Sequence, residues 1–369
     1  MEHPENQEKY KGLKVSTHNS GVGNVSPYLK SRPRVVRRAM TVDDYVNGLL
    51  RGDTVVLSKA ITLLESTRPE HAEMAQQVIA RCLPHAGHSR RVGISGVPGS
   101  GKSTSIDEFG VYLLEHYGGK LAVLAIDPSS ARSGGSILGD KTRMEKLSVH
   151  PRSFIRPSPA SGSLGGVARK TRETIVLCEA AGYNHIFVET VGVGQSEIAC
   201  HSMVDFFLLI QVAGTGDELQ GIKRGIMEIA DGIAINKCDG DNVKRSNITA
   251  GHLRNALGFF PLPPSGWKPK VLTYSGFYGY RIKELWDSIF EYFDFVDKNG
   301  YFEKRRVDQN RYWMYETIEQ SLRSNFYNNK TVERLLQAAE KEVAEARQTP
   351  FVAAQSVLDY YFENPTKLG

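Results

Sequence analysis

The stretch Gly96-Val97-Pro98-Gly99-Ser100-Gly101-Lys102-Ser103 spaces its glycines, lysine and hydroxyl as G-x-x-x-x-G-K-[ST]. Glycines at 96, 99 and 101 let successive backbone N–H groups turn inward around an anion, and the helix that follows offers its positive end. Lys102 can reach the β- and γ-phosphates, and the Ser103 hydroxyl can ligate Mg²⁺. The alternative is a Gly-rich turn that binds nothing. The run Val92-Gly93-Ile94 before the motif and the helix-compatible residues 103–116 after it favour a nucleoside triphosphate held by residues 96 to 103 and Thr104.

A second tetrapeptide, Asn236-Lys237-Cys238-Asp239, lies about 135 residues beyond the phosphate loop and directly after a predicted strand. A carboxylate at its fourth position can accept hydrogen bonds from N1–H and the 2-amino group of guanine. Adenine offers neither donor there, so ATP would leave a buried Asp239 unpaired, and such mismatches discriminate strongly. GTP is therefore the expected nucleotide. Three acids fall between the motifs: Asp127 and Glu189 at predicted strand ends, and Asp140 in a Gly/Ser-rich segment. Carboxylates outside the carboxyl ends of strands in an open α/β sheet can hold Mg²⁺ through water. A helix cap or a surface acid is the alternative for each. Two further Gly-rich stretches, 190–197 and 213–225, have the composition of switch segments that order when a γ-phosphate supplies contacts.

Positioning these residues calls for an alternation of short apolar runs with longer helical stretches. Predicted strands cover 92–95, 121–127, 185–189, 206–212, 232–236 and 270–274, several of them apolar on both faces, as in a helix-covered, mostly parallel sheet. Before them, residues 41–90 show helical spacing, opened by Thr41 as a cap with Asp43 and Asp44 in the first turn. Beyond residue 298, Tyr315, Ile318 and Leu322, then Val332, Leu335, Leu336, Ala339 and Val343, form amphipathic stripes that serve either an intramolecular core or a partner surface. The organisation expected is a leader (1–40), a helical extension (41–90), an α/β nucleotide domain (91–297) and a helical arm (298–369).

Composition narrows the class. The net charge of +5 resides in the leader, where eight Lys/Arg face three acids. Its Asn, Ser, Gly and Pro content reads as a solvated, flexible segment, so neither nucleic acid nor membrane is an expected partner. The four cysteines, Cys82, Cys178, Cys200 and Cys238, have no metal-ligand spacing. The first twenty residues lack the apolar core of a translocation signal, and acids at 2, 5 and 8 argue against a mitochondrial presequence. A cytoplasmic protein is expected.

Together, residues 96–103, 125–130, 139–144, 188–197, 216–225 and 236–239 make the chain resemble the MeaB/MMAA (ArgK-like) family from about Thr41 to its end. Members of that family are P-loop GTPases that act as chaperones of adenosylcobalamin-dependent methylmalonyl-CoA mutase. The resemblance implies a helical N-terminal extension, a central G domain and a C-terminal arm that forms a homodimer. It implies a GTPase cycle that gates cofactor loading and protects or rescues the mutase. It assigns Lys102, Asp140 and Glu189 as catalytic residues, and Ser103, Asp127, Asp140 and Glu189 to the metal. Asp217 and Lys223 fall to a mutase-responsive switch, Asn236, Lys237 and Asp239 to guanine, and Ser275, Gly276 and Phe277 to the opposite side of the base. Many relatives read Ser-Ala-x where this chain has Ser275-Gly276-Phe277, and the leader lies outside the resemblance.

Hydrolysis by water would then rest on positioning and charge neutralisation. Gln195 is the candidate to orient that water, and slow intrinsic turnover accelerated by a partner is expected. Two other classes compete: a kinase or ATPase of arginine/ornithine-transport type, and a GTPase for metal insertion. The latter commonly carries His-rich or Cys-containing metal motifs, which this chain lacks.

Overall fold

Each apolar run of the sequence becomes a strand of one parallel sheet. The computed structural model describes residues 39–126, 143–157, 164–190, 196–214 and 224–364. Among the described residues three helices come first: α1 (Val42–Leu50), α2 (Thr54–Glu65) and α3 (Pro69–Cys82). As expected, Thr41 caps α1, its hydroxyl accepting from the Asp44 amide while the Asp44 carboxylate accepts from the Thr41 amide at 2.8 Å. Asp53 caps α2 with its carboxylate alone, which accepts from the Val55 and Val56 amides.

The strands among the described residues are β1 (Arg90–Gly96), β2 (Leu121–Ile126), β3 (Ser153–Arg156), β4 (His185–Thr190), β5 (Phe206–Val212), β6 (Gly232–Asn236) and β7 (Lys270–Thr273). They stand in the order β3-β2-β4-β1-β5-β6-β7, and every pairing is parallel. Between and after them run α4 (Lys102–His116), α5 (Glu145–Val149), α6 (Leu164–Ala180), α7 (Ser196–His201), α8 (Arg224–Ile229), α9 (Val243–Leu257) and α10 (Ile282–Lys298). The C-terminal segment is α11 (Tyr301–Tyr327), α12 (Lys330–Ala344) and α13 (Pro350–Glu363).

Two cores cover the two faces of the sheet. On one, Leu57, Ile61 and Leu64 of α2 pack with Ile175 of α6 and with Ile186 and Val188 of β4. On the other, Ile106, Phe109 and Leu113 of α4 pack with Ile94, Phe187 and the α10 residues Trp286 and Ile289. Each face buries side chains whose transfer from water contributes roughly 1.5–3 kcal/mol apiece. Central β5 is buried along nearly its whole length, which explains its unbroken apolar run.

The sequence reading did not include β3. It is a four-residue edge strand between Pro151 and Pro157, with only Phe154 and Ile155 buried. So short a run leaves no periodicity to detect.

The C-terminal stripes divide. In α11 the buried residues are Arg305, Arg306, Gln309 and Trp313, whereas Tyr315, Ile318 and Leu322 are exposed at 58%, 47% and 61%. Within this single chain that stripe is therefore not core. Among the described residues no helix is long and apolar enough to cross a membrane.

Candidate functional site

The site lies at the carboxyl ends of β1, β4 and β6. Strand β1 closes on Gly96, whose φ of +156° and tight surroundings exclude a side chain: a Cβ there would lie 2.2 Å from the Ile210 carbonyl oxygen. Gly99 and Gly101 also adopt left-handed backbone, at φ +81° and +84°. Gly99 faces open space, whereas a Cβ on Gly101 would meet Asn236 Nδ2 at 2.6 Å. Val97 is half-buried, and Pro98 and Thr104 are exposed.

Lys102 begins α4, and its ammonium donates to the Gly96 carbonyl at 2.8 Å and the Val97 carbonyl at 3.3 Å. Burial pushes its pKa down, while Glu189 and Glu197 pull it back up. Ser103 Oγ donates to Glu189 Oε1 at 3.2 Å, bringing a hydroxyl and a carboxylate together beside the phosphate loop. These are hard oxygen donors of the kind Mg²⁺ accepts, so the described residues fit the ion. Ser100 Oγ is buried with no hydrogen-bond partner, an orphan in the loop's interior that a phosphate oxygen could satisfy. Thr190 Oγ1 donates to Ser95 Oγ at 2.8 Å and ties the end of β4 to β1.

The segment that carries Asp239 is braced by Asn236. Its Nδ2 donates to the Ser100 carbonyl at 2.8 Å, and its Oδ1 accepts from the Gly276 amide at 2.9 Å and the Lys237 amide at 2.7 Å. One buried amide thus joins the phosphate loop to the segments that carry Asp239 and Ser275. Lys237 holds φ +59°, a strained conformation for a lysine that persists only where its surroundings impose it. Ser275 Oγ donates to Asp239 Oδ2 and fixes that carboxylate's orientation.

The structure leaves little room for a side chain at Gly276. A Cβ there would lie 3.0 Å from Ser105 Oγ, a tight contact with a side chain that is itself held on three sides. Phe277 is 77% exposed and forms, with Tyr278, an aromatic pair at the rim.

Of the residues expected at the site, the described ones converge here: the phosphate loop, Glu189, Asn236, Lys237, Asp239 and Ser275, Gly276 and Phe277. Asp127, Asp140, Gln195, Asp217 and Lys223 lie outside the described residues. The sequence reading did not assign Glu197, buried at the start of α7 with its charge acting on Lys102, although it closes the Gly-rich stretch 190–197. Ser105 and Tyr274 carried no sequence signal at all.

Comparison with known proteins agrees with this geometry. Residues 57–331 match the family described as methylmalonyl Co-A mutase-associated GTPase MeaB. A probable GTPase of Mycobacterium tuberculosis is 48% identical over 86% of this chain and 95% of its own length. The GTPase ArgK of Escherichia coli is 42% identical over 80% of this chain and 88% of its own. The mouse methylmalonic aciduria type A homolog, named as mitochondrial, is 42% identical over 86% and 79% respectively. Among solved structures, one titled LAO/AO transport system kinase superposes with a TM-score of 0.70 at 33% identity, covering 86% of this chain and 97% of that one. The chain belongs to the MeaB family of methylmalonyl Co-A mutase-associated GTPases.

Proposed function

We propose that this protein binds GTP with Mg²⁺, hydrolyses it slowly alone and faster with its client, and uses that cycle to gate adenosylcobalamin loading into methylmalonyl-CoA mutase and to protect or reactivate the enzyme. The observation that carries the nucleotide half of this reading is the Asn236 brace, which holds Ser100 of the phosphate loop and Gly276 of the base loop in one hydrogen-bonded unit. In this reading Lys102 and Mg²⁺ offset phosphate charge, with the ion held by Ser103, Asp127, Asp140 and Glu189. Asp239 accepts from guanine, Gln195 orients the water, and Asp217 and Lys223 respond to the mutase.

The exposed stripe Tyr315, Ile318 and Leu322 supports an arm that closes a homodimer, because contiguous apolar surface of this kind marks an interaction site. The division into leader, extension, G domain and arm is part of the same proposal, as is a cytoplasmic location. The test is a pull-down with methylmalonyl-CoA mutase, scored by GTP turnover with and without it. Binding with accelerated turnover is expected, and absence of both sinks the client assignment. A transport-kinase reading draws on the name of the solved relative. ATP competing with labelled GTP at comparable affinity would favour it, since that result contradicts the role given to Asp239.

A further inference from the structure

Tyr274 is fully buried immediately before Ser275 and has no part in the reading above. Its hydroxyl lies 2.7 Å from Ser105 Oγ. Ser105 Oγ in turn lies 2.8 Å from the Gly101 carbonyl and 3.3 Å from Asn236 Nδ2. A carbonyl only accepts and an amide NH₂ only donates. The single serine proton therefore goes to Gly101, and the tyrosine hydroxyl must donate to Ser105 Oγ.

The main chain of Tyr274 grips the other side. Its N–H donates to the Ile235 carbonyl at 2.9 Å, and its carbonyl accepts from the Cys238 amide at 3.0 Å. Its ring is held against Phe109, with centroids 5.2 Å apart. One residue thus spans from the segment 235–239 to Ser105, which holds the Gly101 carbonyl of the phosphate loop.

We infer that Tyr274 is a positioning residue for guanine discrimination: its hydroxyl, acting through Ser105, sets the placement of the turn carrying Ser275 and Asp239 relative to Gly101. This rests on the reading that the site takes a guanine nucleotide, and it names what gives that site its sharpness. Asp239 separates guanine from hypoxanthine only if its second oxygen meets the 2-amino group. A turn free to drift would still accept the base while losing that distinction.

The test is the dissociation constant for GDP and for inosine diphosphate, which lacks the 2-amino group, in the wild type, Tyr274→Phe, Ser105→Ala and the double variant. Tyr274→Phe keeps the ring against Phe109 and removes only the donor. One hydrogen bond's net worth corresponds to about three- to tenfold. GDP binding should weaken by that factor and inosine diphosphate binding much less, so the ratio between them shrinks by about threefold or more. Ser105→Ala should give the same shrinkage, and the double variant no more than either.

A role confined to folding would lower thermal stability or weaken both nucleotides equally, and an unchanged ratio in the single variants overturns the proposal. If Tyr274→Phe does not fold, Ser105→Ala decides by the same criterion. A wild type with no preference for GDP over inosine diphosphate overturns the guanine reading and this proposal together. A wild-type preference with an unchanged ratio in the variants overturns this proposal alone.

Discussion

Replacing Asn236 by alanine removes the junction between the two halves of the nucleotide site. The side chain is 3% exposed and serves two backbone groups in distant segments, the Ser100 carbonyl at 2.8 Å and the Gly276 amide at 2.9 Å. Ser100 and Gly276 are themselves buried, so water does not readily replace the lost partner. An unmet buried donor or acceptor costs about 1–3 kcal/mol, which puts the pair at about 2–6 kcal/mol. The bonds to Lys237 and Ser105 add less, since Lys237 is exposed and Ser105 retains Tyr274 and Gly101. Because the brace is made entirely of the chain's own atoms, the loss divides between folding and binding, and only the sum is fixed. The assay pairs urea unfolding of the nucleotide-free protein with titration of GDP at constant Mg²⁺. The two free-energy losses should total at least about 2 kcal/mol, equivalent to about thirtyfold in affinity if all of it falls on binding. Asn242→Ala, which removes an exposed bond to the Lys237 carbonyl, is the control and should stay within about 0.5 kcal/mol. A summed loss in Asn236→Ala no larger than that of the control would refute the brace.

Asp239→Asn replaces an acceptor with a donor at the fourth position of the base motif. GTP binding should fall by about a hundredfold or more while xanthosine triphosphate binding improves, and a competition series of the two against labelled GDP reads this directly. Gly96→Ala places a methyl 2.2 Å from the Ile210 carbonyl oxygen in backbone already at φ +156°. GDP binding by calorimetry should be abolished or nearly so, and affinity within threefold of wild type would contradict the described loop. His201 is held by burial, with Arg305 adding repulsion, at a pKa of about 3 against an ordinary 6.5. It therefore takes up a proton only on unfolding: its contribution to stability is intact above pH 6.5 and declines as pH falls toward 3. At pH 5 the loss is about 2 kcal/mol. His201→Gln should flatten the fall in unfolding free energy between pH 7 and pH 5 by that amount, and an identical pH profile would rule it out.

What the sequence disclosed follows from how far apart the cooperating residues lie. A phosphate loop must be contiguous because successive amides wrap one anion, and a tetrapeptide proposed to meet one base, Asn236 to Asp239, is contiguous for the same reason. Both could be read directly. The apolar runs of β5 and β6 likewise matched their strands at the same boundaries, 206–212 and 232–236, because helices cover both faces. The Ser105–Tyr274 bond joins residues 169 positions apart, and neither type is unusual where it stands. Arg91 sits inside β1 at 2% exposure, although a buried arginine in a strand runs against expectation. Its justification is Glu179, 88 residues on, which accepts from its Nη2 at 2.7 Å.

That arginine belongs to a buried charge cluster at the opposite end of the sheet from the nucleotide. Asp205 directly precedes β5, accepts from the Arg91 amide at 2.8 Å and takes Arg306 of α11 at 2.7 Å. Asp231 directly precedes β6 and pairs with Arg305 at 3.3 Å. Such pairs are poor evidence of net stabilisation, because desolvation offsets most of their attraction. Their directionality is another matter: breaking one leaves a buried charge, so they fix where α11 crosses the strands' amino ends. From that anchorage Gln309 donates to the Val204 carbonyl at 2.7 Å and Trp313 to the Ser202 carbonyl at 3.1 Å, both just beyond the end of α7. The other end of α7 begins with Ser196 and Glu197, whose charge reaches Lys102. A helix of six residues, about 9 Å long, therefore has its carboxyl end fastened to the C-terminal segment and its amino end at the phosphate loop. Any nucleotide-dependent movement of Glu197 must either pivot about that fastened end or strain the bonds to Gln309 and Trp313. The second alternative would carry the state of the phosphates to α11, on which the exposed Tyr315, Ile318 and Leu322 stand.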